Sequence, residues 1–242
     1  MKNKYLLFFL TLFSPCLFAQ NLWKVEYETY DKIFFEENDP VFKAELDKNN
    51  STPKYYQLLF DENQSFFNEI IRINNSQDQS LAKMSMSTID NNIYIDYKIL
   101  QYKIEGNYAN KNILIIDNLP KYTWKISREL KEILGITVKK ATTEYKDSKI
   151  EAWFAPSLKP KGGPVFFNGL PGLILELKAV TNMKDESYEI TFKAINLIEA
   201  SKNEKIKIPS KGQKMTQKET DDFVREANQK IMEASSNKVE KD

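Results

Sequence analysis

The sequence of 242 residues predicts a mainly β fold, in which an antiparallel meander forms a strongly curved sheet or open barrel. Short runs rich in aromatic and β-branched residues follow one another and are separated by turn residues, which is typical of strands. Helix signals occur in only two segments, near 40–47 and near 216–234. We therefore expect about nine or ten strands of ordinary length, one short N-terminal helix and one amphipathic C-terminal helix.

Ten runs are expected to form strands, and most are separated from the next by a short segment. The ten runs are 22–30, 55–60, 65–73, 93–105, 112–117, 122–127, 136–145, 149–155, 173–180 and 187–198. The polar turns at 61–64 and 146–148 each join two neighbouring runs, so we expect hairpins there.

Both expected helices have recognisable start signals. Asp39 is a capping residue, and Pro40 fits the first helical position ahead of 41–47. Thr216 and Glu219 form a capping box. In the segment that follows, Phe223, Ala227, Ile231 and Ala234 recur at helical spacing. This pattern predicts an amphipathic helix over 216–234 that covers the sheet or its open end, with a mobile lid or partner-binding helix as the alternative.

The first residues predict export. Lys2 and Lys4 precede an apolar run at 5–18, which is shorter than the roughly 20 residues of a membrane span. We expect a signal peptide at 1–19 and a single β-rich domain at 20–242, with a frayed tail at 235–242. The protein would then be periplasmic, outer-membrane-associated or extracellular.

Composition excludes several kinds of site. The chain has no histidine, and its single cysteine, Cys16, lies in the predicted signal peptide. Disulfides, zinc sites built on Cys or His, and Ser–His–Asp or Cys–His nucleophiles are therefore absent from the expected mature chain. The formal net charge of +1 favours neither nucleic acid nor an acidic membrane surface as a partner. We predict no cofactor, no metal site, no catalytic residue and no membrane span in the mature chain.

A segment at 162–177 holds four of the seven glycines and two of the nine prolines. Within it, Gly169 and Gly172 are candidates for positive φ, and 170–173 suits a type II turn. Strand alternation then predicts that Leu173, Leu175 and Leu177 point to one face. We interpret the segment as a rigid turn that leads into a core strand, with a loop that also lines a ligand site as the alternative.

Three stretches carry a resemblance to a known family. They are 135–141 (GITVKKA), 152–156 (AWFAP) and the Gly163-Pro164 pair followed by 169–174 (GLPGLI). Over about 124–180 the chain resembles the GLPGLI family, secreted β-rich bacterial proteins of unassigned function. Many members carry cysteine where this chain has Val138, so a function that needs that thiol would be absent. The resemblance implies no catalytic residues.

Candidate site residues come from this same region. Trp153 is interpreted as a core aromatic residue, with a stacking wall in a ligand cavity as the alternative. The candidate ligand-contacting residues are Trp153, Phe166, Phe167, Gly169, Leu170, Pro171 and Gly172. The residues expected to be structural are Gly163, Pro164, Leu173 and Ile174.

Other candidate chemistry is weaker. Glu144, Glu151 and Glu176 lie on expected strands and could supply a hydrolytic pair, which would need carboxyl groups roughly 5–9.5 Å apart. The segment 47–51 resembles the start of a calcium loop, but Thr52 and Leu58 replace the glycine and the acid that such a loop requires.

Together these patterns favour a secreted or envelope-associated, non-enzymatic protein that binds an apolar ligand, a peptide or an envelope partner. The alternative is a structural or assembly component of the envelope with a filled core. A carboxylate-dependent hydrolase is a less favoured third interpretation.

Overall fold

The structure, a computed structural model, describes residues 22–36, 39–72 and 92–239, and of 234–239 only the backbone. Within these residues, twelve strands form one mostly antiparallel sheet that does not close on itself. Two helices accompany it, α1 (Pro40–Ser51) and α2 (Gln217–Val239). The predicted mainly β fold with two helices is confirmed. The predicted signal peptide at 1–19 lies outside the described residues.

Most strands overlap the expected runs, although the one expected at 122–127 instead spans 125–133. The strands are β1 Trp23–Phe35, β2 Lys54–Phe60, β3 Gln64–Glu69, β4 Ile93–Asp96, β5 Gln101–Tyr108, β6 Lys111–Asn118, β7 Lys125–Ile133, β8 Ile136–Tyr145, β9 Ser148–Ala155, β10 Leu173–Asn182, β11 Glu186–Glu199 and β12 Gln213–Met215. The expected strand at 93–105 is divided by a turn into β4 and β5. β12 has only three residues and no alternating pattern, so it was not predicted.

Two meanders make up the sheet. Strands β2 to β6 form one and β7 to β11 form the other, and β1 joins them by pairing with both β2 and β11. Every pairing is antiparallel except that of β12 with β6. The first strand therefore lies at the middle of the sheet, between the two meanders, and β12 lies at an edge.

The inner face of the sheet carries an aromatic core. The rings of Tyr56 and Phe67 stack at 5.1 Å, and both meet Phe192 edge-on at about 6 Å. Tyr27 also packs edge-on against Phe192, and its hydroxyl donates to the Ile174 carbonyl at 2.6 Å. Because burial of such side chains contributes roughly 1.5–3 kcal/mol each, this cluster is a main source of stability.

The segment at 200–212, here called the strap, connects β11 to β12 across the outer face of β1–β6. Glu204 pairs with Lys24 at 2.7 Å near its start. Glu105 accepts hydrogen bonds from the backbone N–H groups of Ser210 and Lys211 near its end. Four apolar or aromatic side chains at outer-face register positions are buried: Leu59, Phe66, Tyr94 and Leu114. We infer that the strap covers them.

Both helix starts form as predicted. Asp39 accepts from the backbone N–H groups of Val41 and Phe42. The Thr216 N–H donates to the Glu219 carboxylate at 2.7 Å, and the Glu219 N–H donates to the Thr216 hydroxyl at 3.3 Å. Helix α2 packs against β6 and β12 and continues to Val239. None of the described helices has both the length and the apolar character that a membrane crossing requires.

Candidate functional site

The loop after β9 packs into one end of the sheet. Residues 156–172, here called the plug, place the Phe166 ring 4.5 Å from Tyr102 and the Phe167 ring 5.6 Å from Tyr122. These contacts are with the inner side of the fold, where Tyr102 is buried. The two phenylalanines therefore pack against aromatic residues on the inner side of the fold.

Hydrogen bonds hold the plug in place. The Asn168 amide donates to the carbonyls of Pro120 and Phe166, at 3.0 and 2.8 Å. The Trp124 indole N–H donates to the Asn168 carbonyl at 2.8 Å, and the Ile174 N–H donates to the Gly162 carbonyl at 2.8 Å. Sequence reasoning did not single out Asn168, although its position between two aromatic residues and a glycine was visible.

Different physical constraints require glycine at different positions of the plug. Gly169 has φ of +87°, as predicted. Gly172 is not among the residues with positive φ, so the expected type II turn at 170–173 is wrong. Instead, a Cβ at Gly172 would lie 2.1 Å from the Ala155 carbonyl oxygen, and one at Gly163 would lie 2.7 Å from the Ile174 Cβ. Glycine is required at these two positions by close contact, with the Ala155 backbone at Gly172 and with the Ile174 side chain at Gly163, and not by backbone conformation.

β10 departs from the expected alternation. A bulge lies between Ile174 and Glu176, so that Ile174 pairs with Phe154 and Glu176 pairs with Trp153. As a result Leu173, Ile174, Leu175 and Leu177 are all fully buried. The predicted three-leucine stripe on one face is therefore wrong, because the extra residue of the bulge shifts the pattern.

Trp153 lies on the outer face of the sheet, opposite the plug. In cross-strand register it stands between Lys140 and Glu176. The Lys131 ammonium lies 4.2 Å from the ring centroid, and the indole N–H donates to Glu151 at 3.1 Å. Only 9% of Trp153 is exposed. Lysine side chains and carboxylates therefore cover the ring.

The candidate residues thus do not form one site. Phe166, Phe167 and Leu170 belong to the plug and pack with the core, whereas Trp153 is buried on the opposite face of the sheet. Pro171 is exposed and Gly172 is buried beside β9. Gly163 and Pro164, like Leu173 and Ile174, are buried.

The three glutamates share the outer face with Trp153. Glu176 is paired with Lys131 at 2.6 Å, and Glu151 with Lys140 at 3.1 Å. The Glu151 and Glu129 carboxylates raise the pKa of Lys140. An open groove of about 570 Å³ runs beside them, lined among others by Thr142, Glu144, Lys149, Glu151 and Lys178. The two carboxylates nearest Trp153 are neutralised by ammonium groups, an arrangement that suits surface pairing.

The region that resembles a calcium loop is helical. Residues 47–51 belong to the last turns of α1, so their backbone carbonyls are not arranged around an ion. Among the described residues, no group of three or more acidic side chains could hold a metal ion.

A second cleft lies at the same end of the sheet as the plug. It measures about 360 Å³ and is lined by Trp23, Phe60, Asp61, Glu62, Ser157, Leu158 and Lys159. Trp23 is 38% exposed there, whereas Phe60 is buried. Sequence reasoning placed Trp23 in a strand and 61–64 in a hairpin turn, but no local pattern connects them to 157–159.

Solved structures show the same fold. "Structure of PNGF-II in P21 space group" matches with a TM-score of 0.56 at 16% identity, over 86% of this chain and 34% of that one. "Structure of PNGF-II in C2 space group" matches with 0.55 at 17% identity, over 86% and 33%. The chain thus spans about a third of the length of these structures. A search of curated proteins found no match.

A family model gives the more specific finding. The model described as "N-glycanase peptide, N-terminal domain" matches residues 43–223. No finding supports the GLPGLI family, so the resemblance inferred from 124–180 is wrong. The expected function, a non-enzymatic binder of an apolar ligand, peptide or envelope partner or else an envelope structural component, is overturned by the same match. Because the match covers well over half of the sequence, the chain belongs to the family of N-glycanase peptide, N-terminal domains.

Proposed function

We propose that this chain recognises N-glycosylated proteins and contributes that recognition to the processing of their N-glycans. The observation that carries the proposal is the match of the N-glycanase N-terminal domain model over 43–223. The chain spans about a third of the solved structures with the same fold. Recognition of the substrate is a task that a domain of this size can perform.

The chemistry of the surface supports a recognition role. The carboxylates of Glu151 and Glu176 are both bound to lysines, and Glu151 also accepts from the Trp153 indole. Acids held in this way are poorly prepared to donate or accept a proton. The open groove beside them has a polar lining that includes Thr142, Lys149 and Lys178, and such side chains can form hydrogen bonds with sugar hydroxyl groups.

The location fits the same proposal. Export, expected from residues 1–19, would place the chain in the periplasm, on the outer membrane or outside the cell. A secreted protein can meet glycoproteins there.

The test is a binding measurement with a matched pair of ligands. The purified chain is immobilised and exposed to a glycoprotein with one N-glycan, and to the same protein made with glutamine at the glycosylated asparagine. We expect a Kd at least tenfold lower for the glycosylated form. Equal affinity for both forms would overturn the proposal.

A second measurement separates recognition from catalysis. The chain alone is incubated with the glycoprotein, and glycan release is followed by the mass of the intact protein. We expect no release. Release that depends on chain concentration would assign the chemistry to this chain and contradict a recognition role.

A further inference from the structure

We propose that the cleft beside Trp23, here called the Trp23 cleft, binds a neutral sugar residue of the N-linked oligosaccharide by stacking it on the Trp23 ring. This inference rests on the proposed function and names the part of the surface that performs it. Neither the family match, which begins at residue 43, nor any sequence motif assigns a role to Trp23.

The cleft has the size and the form of a small-molecule site. Its volume of about 360 Å³ lies in the lower part of the roughly 300–1,000 Å³ range of ligand pockets. Phe60 forms a buried floor, because it pairs directly with Trp23 across β1 and β2. Trp23 itself is the most exposed of the three tryptophans.

The walls of the cleft are held in place by hydrogen bonds. Asp61 is buried and accepts from the backbone N–H groups of Asn63 and Gln64, at 2.7 and 3.0 Å. It also accepts from the Gln64 side-chain amide at 3.1 Å. On the other side, the Leu158 N–H donates to the Ala155 carbonyl at 3.1 Å. A preformed cleft loses little conformational freedom when it binds a ligand.

The chemistry of the lining fits a sugar. The electron-rich face of an indole attracts the polarised C–H groups on the flat side of a pyranose ring. The Ser157 hydroxyl can donate and accept, and the Glu62 carboxylate and Lys159 ammonium can bond to sugar hydroxyls at the rim. An apolar floor with a polar rim matches the two kinds of surface of a sugar.

The charges of the cleft favour a neutral sugar. Glu62 and Lys159 form an ion pair with each other, and both side chains are more than half exposed. The Asp61 carboxylate is committed to the 61–64 turn. Among the described residues that line the cleft, the one ammonium is already paired and a second carboxylate lies nearby, so the lining favours a neutral sugar over an acidic one.

The experiment uses a released neutral oligomannose N-glycan as the probe. Calorimetry gives its Kd, and saturation-transfer NMR identifies which sugar protons lie against the protein. We expect Trp23→Ala to raise the Kd at least tenfold. The same variant should abolish saturation transfer from the protein to the C–H protons of the sugar ring. Trp23→Phe, which keeps an aromatic face, should recover part of the affinity.

The control variant is Phe42→Ala, which removes another exposed aromatic side chain far along the fold on α1. It should leave the Kd unchanged. Circular dichroism and thermal unfolding of each variant establish that the fold is retained. If Trp23→Ala fails to fold, Ser157→Ala replaces it, with an expected threefold or larger rise in Kd.

The outcomes distinguish this inference from the proposed function. If Trp23→Ala and Ser157→Ala leave binding of the glycoprotein unchanged, the assignment of sugar binding to the Trp23 cleft is overturned and the proposed function stands. Failure of the wild-type chain to prefer the glycosylated protein would overturn the proposed function itself. Tighter binding of a sialylated glycan than of the oligomannose probe would overturn the preference for neutral sugars.

Discussion

The two faces of the sheet at β8–β10 bury their side chains by different means. On the inner face, Gly163 of the plug packs directly against the Ile174 side chain, and Gly172 lets the plug backbone approach the Ala155 carbonyl. On the outer face, Trp153 is covered by the side chains of Lys131 and Lys140. Lysine stems can shield an aromatic ring while their charged groups remain in water. A buried side chain therefore does not by itself indicate which face of a strand is directed toward the core.

The largest expected effect compares two neighbouring residues of β9. Phe154→Ala should lower the free energy of unfolding by about 4 kcal/mol, because it opens a cavity in a packed interior. Trp153→Ala should cost about 2 kcal/mol, since solvent and the lysine stems can fill the vacated space. Urea unfolding of both variants measures the difference. Equal losses would mean that the outer face is as tightly packed as the inner one.

The next effect concerns the close approach of the plug to β9. Gly172→Ala should lower the free energy of unfolding by about 3 kcal/mol, because the added Cβ would overlap the Ala155 carbonyl oxygen. Pro171→Ala at the neighbouring exposed position should cost less than about 1 kcal/mol. Similar values for the two variants in urea unfolding would show that the plug can shift away from β9.

A smaller effect separates packing from charge on the outer face. Lys131→Met keeps most of the stem over Trp153 but loses a partly exposed ion pair and the cation–π contact with the ring, so the unfolding free energy should fall by about 1 kcal/mol. Lys131→Ala removes the stem as well and should cost about 2 kcal/mol. A larger loss for the methionine variant than for the alanine variant would contradict this account.

The smallest effect is a pH dependence confined to the outer face. Hydrogen bonds from the Lys211 and Ser210 backbone lower the pKa of Glu105, and the bond from Lys24 lowers that of Glu204. A lowered folded-state pKa contributes stability above the ordinary value of 4.5, and this stability is lost as the pH falls through the folded-state pKa. The double variant E105Q/E204Q should therefore be less stable than the wild type at pH 6.

At pH 3 the difference between the two proteins should shrink. Urea unfolding at both pH values measures this difference in unfolding free energy. Phe154→Ala serves as a comparison, because the unfolding free energy that it loses should be similar at pH 6 and pH 3. A wild-type advantage that persists unchanged at pH 3 would show that these carboxylates do not fasten the strap by their charge.

Local patterns predicted the elements of this fold well. The hairpin turn at 146–148 and the capping box of Thr216 and Glu219 occur where the residues indicated. Each depends on residues within a few positions of one another. The strap escaped prediction because its partners, Lys24 and Glu105, are remote in sequence, and β12 because it pairs with the remote strand β6.

The site was less predictable for the same reason. The concentration of glycine and proline at 162–177 indicated a rigid turn leading into a strand, but it could not show that Trp153 lies on the other face of the sheet. The bulge after Ile174 depends on the pairing with β9, which the β10 sequence does not specify. The Trp23 cleft joins three segments that are each unremarkable as sequence.

The strap also affects how this sheet meets other protein chains. Open sheet edges can pair with strands of another molecule, and long flat edges carry the greatest risk. By delivering β12 alongside β6, the strap leaves a terminal strand of only three residues at that side. The other terminal strand, β7, has an irregular register between Ile126 and Leu130. Neither edge offers a long regular ladder, so the open sheet is protected against edge-to-edge aggregation.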